Sequence, residues 1–162
     1  MTVREGAGLR AKGRIAAILA AVLVCATAAV AIASTTRARV GTQQGKLGTM
    51  LAGGNGHTLY LFMRDKSSCY GACAKAWPPD YTHGTPAAIT GSGVNSKLLG
   101  TTRRKSGALQ ATYNGHPLYF FSGDSKPGDM HGENANAFGG HWYVVGTSGK
   151  AKKPVVFNPG SY

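Results

Sequence analysis

The nearby cysteines Cys69 and Cys73, and the soft and imidazole groups Met130, His131 and His141, hold the clearest chemical options in this sequence. One turn of helix places Cα atoms about 6 Å apart, within reach of a disulfide. In an oxidising compartment such a pair closes. The enclosed loop is too short for a large gain in unfolded-state entropy, so a bridge here fixes local shape ahead of Trp77. Small disulfide rings are also reducible, and a redox-active pair stays open beside the structural reading. The spacing is not Cys-x-x-Cys and no histidine follows Cys73, which argues against a thioredoxin motif and against haem attachment. Met130, His131 and His141 form a donor set suited to copper, although no His-x-x-x-His spacing puts two of them on one element. Asp124, Asp129 and Glu133 miss the spacing of a calcium loop. No Gly-x-Ser-x-Gly elbow is present. A carboxylate pair for hydrolysis would require Asp65 and Asp124 to meet through folding. The expectation is no catalytic residue and no cofactor, with copper as the alternative.

The elements that position these groups are dominated by a repeated string. Asn55-Gly-His-Thr-Leu-Tyr-Leu-Phe-Met-Arg-Asp65 returns as Asn114-Gly-His-Pro-Leu-Tyr-Phe-Phe-Ser-Gly-Asp124. Each Asn-Gly predicts a type I′ hairpin turn, which needs two residues at positive φ. The entering strands are predicted at about 49–52 and 109–113, and the leaving strands at 58–63 and 118–121. In the leaving strands Leu59, Leu61 and Met63 oppose Tyr60 and Phe62, and Leu118 and Phe120 oppose Tyr119 and Phe121. A strand apolar on both sides is central. Tyr60, Phe62, Trp77, Tyr119, Phe121 and Trp142 are therefore read as structural core residues. Asp65 and Asp124 follow the strands and are read as chain-turning acids that accept backbone N–H groups. A third hairpin is predicted from 142–145 to 155–157. Ser67 or Ser68 is a candidate cap for a short helix carrying the cysteine pair, which Pro78-Pro79 would stop.

The N-terminus reads differently. Arg4, Arg10, Lys12 and Arg14 precede an uninterrupted apolar and small-residue run from Ile15 to Ala33. Ala31-Ile-Ala33 supplies the small residues of a signal-peptidase site, while the length of the run suits a retained anchor. Residues 1–33 are thus a signal peptide or a membrane anchor. Residues 34–46, with no hydrophobic period, are read as a flexible linker. The chain carries a formal net charge of +12, which draws an exported protein to anionic membrane or cell-wall surfaces. The clusters Arg103-Arg104-Lys105 and Lys150 to Lys153 have no aromatic residues interleaved, which argues against nucleic-acid recognition.

Both copies fit Tyr-x-(Phe/Trp/Tyr)-x-x-Asp, at Tyr60 to Asp65 and Tyr119 to Asp124. Around them stand Ser68-Cys-Tyr-Gly-Ala-Cys-Ala74, Trp77-Pro-Pro79, Tyr113-Asn-Gly-His-Pro-Leu-Tyr119, Pro127-Gly-Asp129 and Phe138-Gly-Gly-His-Trp142. In these motifs, from about Leu47 to Val145, the chain resembles the bacterial secreted-repeat family of predicted lipoproteins. The resemblance implies export and a duplicated architecture, and implies no reaction. It departs at Cys25, where Val24 stands in place of the small residue a lipidation site needs.

The expected fold is all-β. Two homologous antiparallel units, about 47–95 and 96–162, pack pseudo-symmetrically as a sandwich or barrel, with one short helix carrying Cys69 and Cys73. The expected function is a non-enzymatic, extracytoplasmic binding or structural module of the cell envelope, monomeric, either secreted or tethered by its N-terminal segment. Its ligand-binding residues are placed at Asp65, Asp124, Asp129, His131 and His141. The alternative is a copper or redox protein using Met130, His131, His141 and the cysteine pair.

Overall fold

The two copies of the repeated string hydrogen-bond to each other. Tyr60 N–H donates to the Tyr119 carbonyl at 2.8 Å and Tyr119 N–H donates back to the Tyr60 carbonyl at 3.0 Å, an antiparallel bridge between equivalent residues. The computed structural model describes residues 36–64 and 69–153. The expectations for residues 1–33, Cys25, the Ser67 or Ser68 cap, Asp65 and the strand at 155–157 lie outside them. Among the described residues no helix is long and apolar enough to cross a membrane.

The elements are β1 (Arg39–Gly45), β2 (Gly48–Gly53), β3 (Tyr60–Phe62), α1 (Ala72–Ala76), β4 (Tyr81–Thr82), β5 (Ala87–Ala88), β6 (Leu99–Arg103), β7 (Leu109–Tyr113), β8 (His116–Pro117), β9 (Ala135–Ala137) and β10 (Gly140–Val144), with a 3-10 turn at Ser96–Leu98. They form three small sheets, ordered β2-β1-β5, β3-β10-β9 and β4-β7-β6, with β8 also pairing β7. All strand pairings are antiparallel except β1 with β5. The fold is all-β with one short helix, as the alternation of apolar residues predicts.

The shared central strands separate two apolar clusters. Leu59, Leu61 and Leu118 join Val40, Leu51, Leu99, Ala111, Tyr113 and Val145 on one side. Tyr60, Phe62 and Tyr119 join Met50, Trp77, Trp142, Val144 and the two cysteines on the other. The period of two thus sorts each strand's side chains between opposite cores. Met63, at the end of the run, is exposed instead. The second cluster is an aromatic stack: Phe62 on Trp142 at 4.4 Å, Trp142 on Trp77 at 4.0 Å and Trp77 against Phe121 at 4.4 Å. Such pairs add about 0.5–1.5 kcal/mol each beyond the area they bury.

Two expectations are corrected. Residues 39–45 of the supposed linker form β1, paired with β2 from Val40↔Gly53 to Gly45↔Gly48. Only Val40 marks it as apolar, because its polar side chains find partners. The Thr42 hydroxyl donates to the Ser92 carbonyl, and Gln43 Nε2 donates to Thr58 Oγ1. The two Asn-Gly turns also differ. Asn114 and Gly115 both take positive φ, at 50° and 77°, between the paired Tyr113 and His116, as a type I′ turn requires. In the first copy Ala52 bridges Thr58, and Gly56 (φ 80°) is the turn's positive-φ residue. Gly54 lengthens that loop, so Asn55 is spared the left-handed conformation and caps His57 N–H with its side chain at 3.1 Å.

The helix begins at a glycine, Gly71 (φ 56°), with no side-chain cap. Cys69 precedes the helix and Cys73 lies within it, bridged with their Cα atoms 5.2 Å apart. The Arg104 guanidinium, buried, donates to the Cys69 carbonyl and to Gln110 Oε1 (2.6 Å). Gln110 Nε2 in turn donates to the Leu118 carbonyl at 2.8 Å, so one polar chain links the disulfide segment, β7 and the second repeated strand.

Asp80 sits just after Pro78-Pro79 in a dry place, with Oδ2 buried and unpaired, and burial pushes its carboxyl up to about 7. The unfolded chain therefore releases this proton first. Relative to Asp80→Asn, wild-type stability should fall by up to roughly 4 kcal/mol as pH rises from about 4 to 7 and be flat above that, in urea unfolding at stepped pH. Gly115→Val has open space for its side chain and fails only on φ. It should lower stability by about 1–2 kcal/mol in thermal unfolding.

Candidate functional site

The site grows from the end of the second repeated strand. After Phe121 the chain turns, with Asp124 N–H donating to the Phe121 carbonyl, and the Asp124 side chain becomes buried. Its Oδ2 accepts the hydroxyl of Tyr60, from the first copy, at 2.6 Å. Its Oδ1 accepts His131 N–H at 2.9 Å. The Tyr60 oxygen also accepts Gly132 N–H at 3.3 Å. Burial first, then the bond to Asp124 and its charge, hold the Tyr60 phenol far above its usual range, so it remains a donor. Gly132 is required by close approach: a Cβ there would lie 2.6 Å from the Trp77 ring. The loop from Asp124 to Glu133 is thereby pinned onto the aromatic stack.

Within that loop Asp129 Oδ2 accepts Ser125 N–H (3.0 Å), the Ser125 hydroxyl (3.1 Å) and Lys126 N–H (3.1 Å). Burial pushes the Asp129 carboxyl up, but these donors and His131 outweigh it and hold it below the ordinary carboxylate range. The His131 ring is well exposed, with Nδ1 3.3 Å from Asp124 Oδ1 and 4.0 Å from Asp129 Oδ2. That contact orients the imidazole and leaves Nε2 as the atom to meet a ligand. Glu133 Oε2 accepts Val144 N–H at 2.7 Å, while Oε1 is buried and unpaired. Burial raises the Glu133 carboxyl despite the Val144 donor. Between this loop and the β1–β2 turn lies a groove of about 490 Å³, lined by Lys46, Leu47, Asp129, Met130, His131 and Glu133 together with glycines.

The structure therefore brings Asp124, Asp129, Met130 and His131 together and leaves His141 apart. His141 lies exposed on β10, its ring stacked on Tyr143 at 6.0 Å. Among the described residues no three His, Cys, Asp or Glu side chains converge on a metal position. Asp124 does turn the chain by accepting a backbone N–H, but its stronger role, anchoring Tyr60, came from a residue distant in sequence. Lys46 and Leu47 were missed because the segment up to residue 46 was read as a linker. Glu133 carried no recognisable spacing.

A family model described as a secreted repeat of unknown function matches residues 41–79 and 100–146, one segment around each copy of the string. No curated protein and no solved structure matches the chain.

Tyr60→Phe removes the donor to Asp124 and leaves a buried carboxylate oxygen short of a partner. Stability should fall by about 1–3 kcal/mol in urea unfolding, and the His131 and Gly132 amides should lose hydrogen-exchange protection.

Proposed function

The chain belongs to the family of secreted repeats of unknown function, and from that premise we propose that it is a non-enzymatic binding module of the cell envelope. Its duplicated β unit is the scaffold, and its ligand surface is the groove between Gly45–Leu47 and Gly128–Glu133. The observation that carries this reading is the Tyr60–Asp124 hydrogen bond. The Tyr60 hydroxyl of one copy and the Asp124 carboxylate of the other are engaged with each other in the interior, which supports a scaffold role and leaves recognition to the loop beside them. The groove offers one cation, carboxylates, an outward imidazole nitrogen and the apolar Leu47 and Met130, a lining suited to a small ligand bearing charges of both signs.

The test is a titration of the isotopically labelled chain with soluble muropeptides, followed by amide chemical shifts. Shifts should gather at Lys46, Asp129, His131 and Glu133, with the muropeptides recovered intact. Cleaved muropeptides would overturn the non-enzymatic reading, and absence of shifts in the groove would overturn its location.

A second reading, a copper protein, keeps one observation in its favour: Met130 and His131 both line the groove. The preferred reading expects no stoichiometric copper after incubation and dialysis. Retention that His131→Ala abolishes would replace it. The disulfide, with Cys69 1% and Cys73 7% exposed, should resist mild reductant in the folded chain by thiol labelling.

A further inference from the structure

The charges on this molecule are sorted by depth. Among the described residues Asp80 and Asp124 are buried and Asp129 and Glu133 half-buried, so none of their carboxylates is exposed. Among the described residues the exposed charged groups are all basic. Ion pairs within 4.0 Å between described residues involve only His131 with Asp124 and Asp129, so no described carboxylate neutralises a described lysine or arginine. A surface of one sign attracts polyanions over a distance and binds them with a steep salt dependence.

One place on that surface has more than charge. Arg103 ends β6, the turn that follows carries Arg104 and Lys105, and the fold lays two distant tyrosines against that turn. The Arg104 guanidinium lies 4.4 Å from the Tyr70 ring centre and 6.0 Å from that of Tyr81. The Lys105 ammonium lies 5.5 Å from the Tyr70 ring, and Lys105 N–H donates to the Tyr70 hydroxyl at 3.2 Å. The aromatic residues absent from the basic cluster in sequence are supplied by tertiary structure. Arg104 is buried, donates to neutral oxygens of Cys69 and Gln110, and lies against both tyrosine rings, which it holds in place. Arg103, Lys105 and Tyr81 face solvent, Tyr81 with 46% of its surface exposed.

We propose that the face formed by Tyr81, Tyr70 and Lys105 around the Arg104 guanidinium docks a polysaccharide joined by phosphodiesters, with a phosphate paired to the Lys105 ammonium and a sugar ring lying on Tyr81. A lone exposed aromatic beside cations suits a sugar ring, whereas lying in a bilayer requires a continuous apolar face. The family's secreted character places a wall polymer, rather than nucleic acid, within reach. This inference rests on the surface of the hairpin turn and is independent of the groove.

The experiment measures binding of the purified full chain to ribitol-phosphate polymer, bare and glucosylated, at several salt concentrations. Log Kd should rise linearly with log salt, and Lys105→Ala should weaken binding about fivefold and reduce the salt slope by about one. Tyr81→Ala should lose more affinity for the glucosylated polymer than for the bare one. Lys150→Ala, away from the turn, should stay within about twofold. Equal losses for Lys150→Ala and Lys105→Ala would overturn the location. Tighter binding to phosphatidylglycerol vesicles or to single-stranded DNA would overturn the partner. Lys105 is exposed and its side chain lies against the Tyr70 ring, so Lys105→Ala is expected to fold, and its thermal unfolding curve checks this.

Discussion

Tyr60 and Tyr119 exchange both of their backbone hydrogen bonds at the centre of the molecule, and most other features follow from that pairing. A strand buried on two sides cannot obtain its hydrogen bonds from water, so each copy needs the other. Once paired, the strands present leucines to one cluster and aromatic rings to the opposite one. The tyrosine ring also carries a hydroxyl into that second cluster, where it must be satisfied. Asp124 satisfies Tyr60, and in doing so ties down the loop that borders the groove. Backbone pairing, side-chain alternation and loop placement are three consequences of a single constraint.

Much of this was legible in the sequence because the governing signals were local. The alternation in Leu59 to Phe62 and Leu118 to Phe121 named the central strands and both of their faces. Asn114-Gly115 named its turn type, and the cysteine spacing with its oxidising compartment named the bridge. What was hidden depended on distant partners. β1 has little apolar content of its own and is held by its pairing with β2 and by Thr58 and Ser92. The hydroxyl of Tyr60 could not be matched to Asp124 by any local rule. The groove was half legible: Asp129, Met130 and His131 were named as candidates, while its opposite wall came from a segment with no hydrophobic period.

The distribution of charge has a structural origin as well. Each described carboxylate has a task in the fold or lies in a dry place: Asp124 holds a phenol, Asp129 organises a turn, Glu133 accepts a strand N–H and Asp80 is enclosed. Because those tasks draw the described acids inward, the exposed charge among the described residues is left basic. The basic surface of the described residues and their internal architecture are two aspects of the same arrangement.

The stacking of Trp77 on Trp142 has a spectroscopic consequence. These are the chain's two tryptophans, and their rings lie 4.0 Å apart and 4° from parallel. One follows the disulfide helix of the first segment and the other stands in β10, beyond the second copy. Electronic transitions of indoles held this close couple, so the tryptophan contribution to near-ultraviolet circular dichroism and fluorescence arises from one coupled pair. The molecule therefore carries a built-in optical gauge of whether its two halves are engaged.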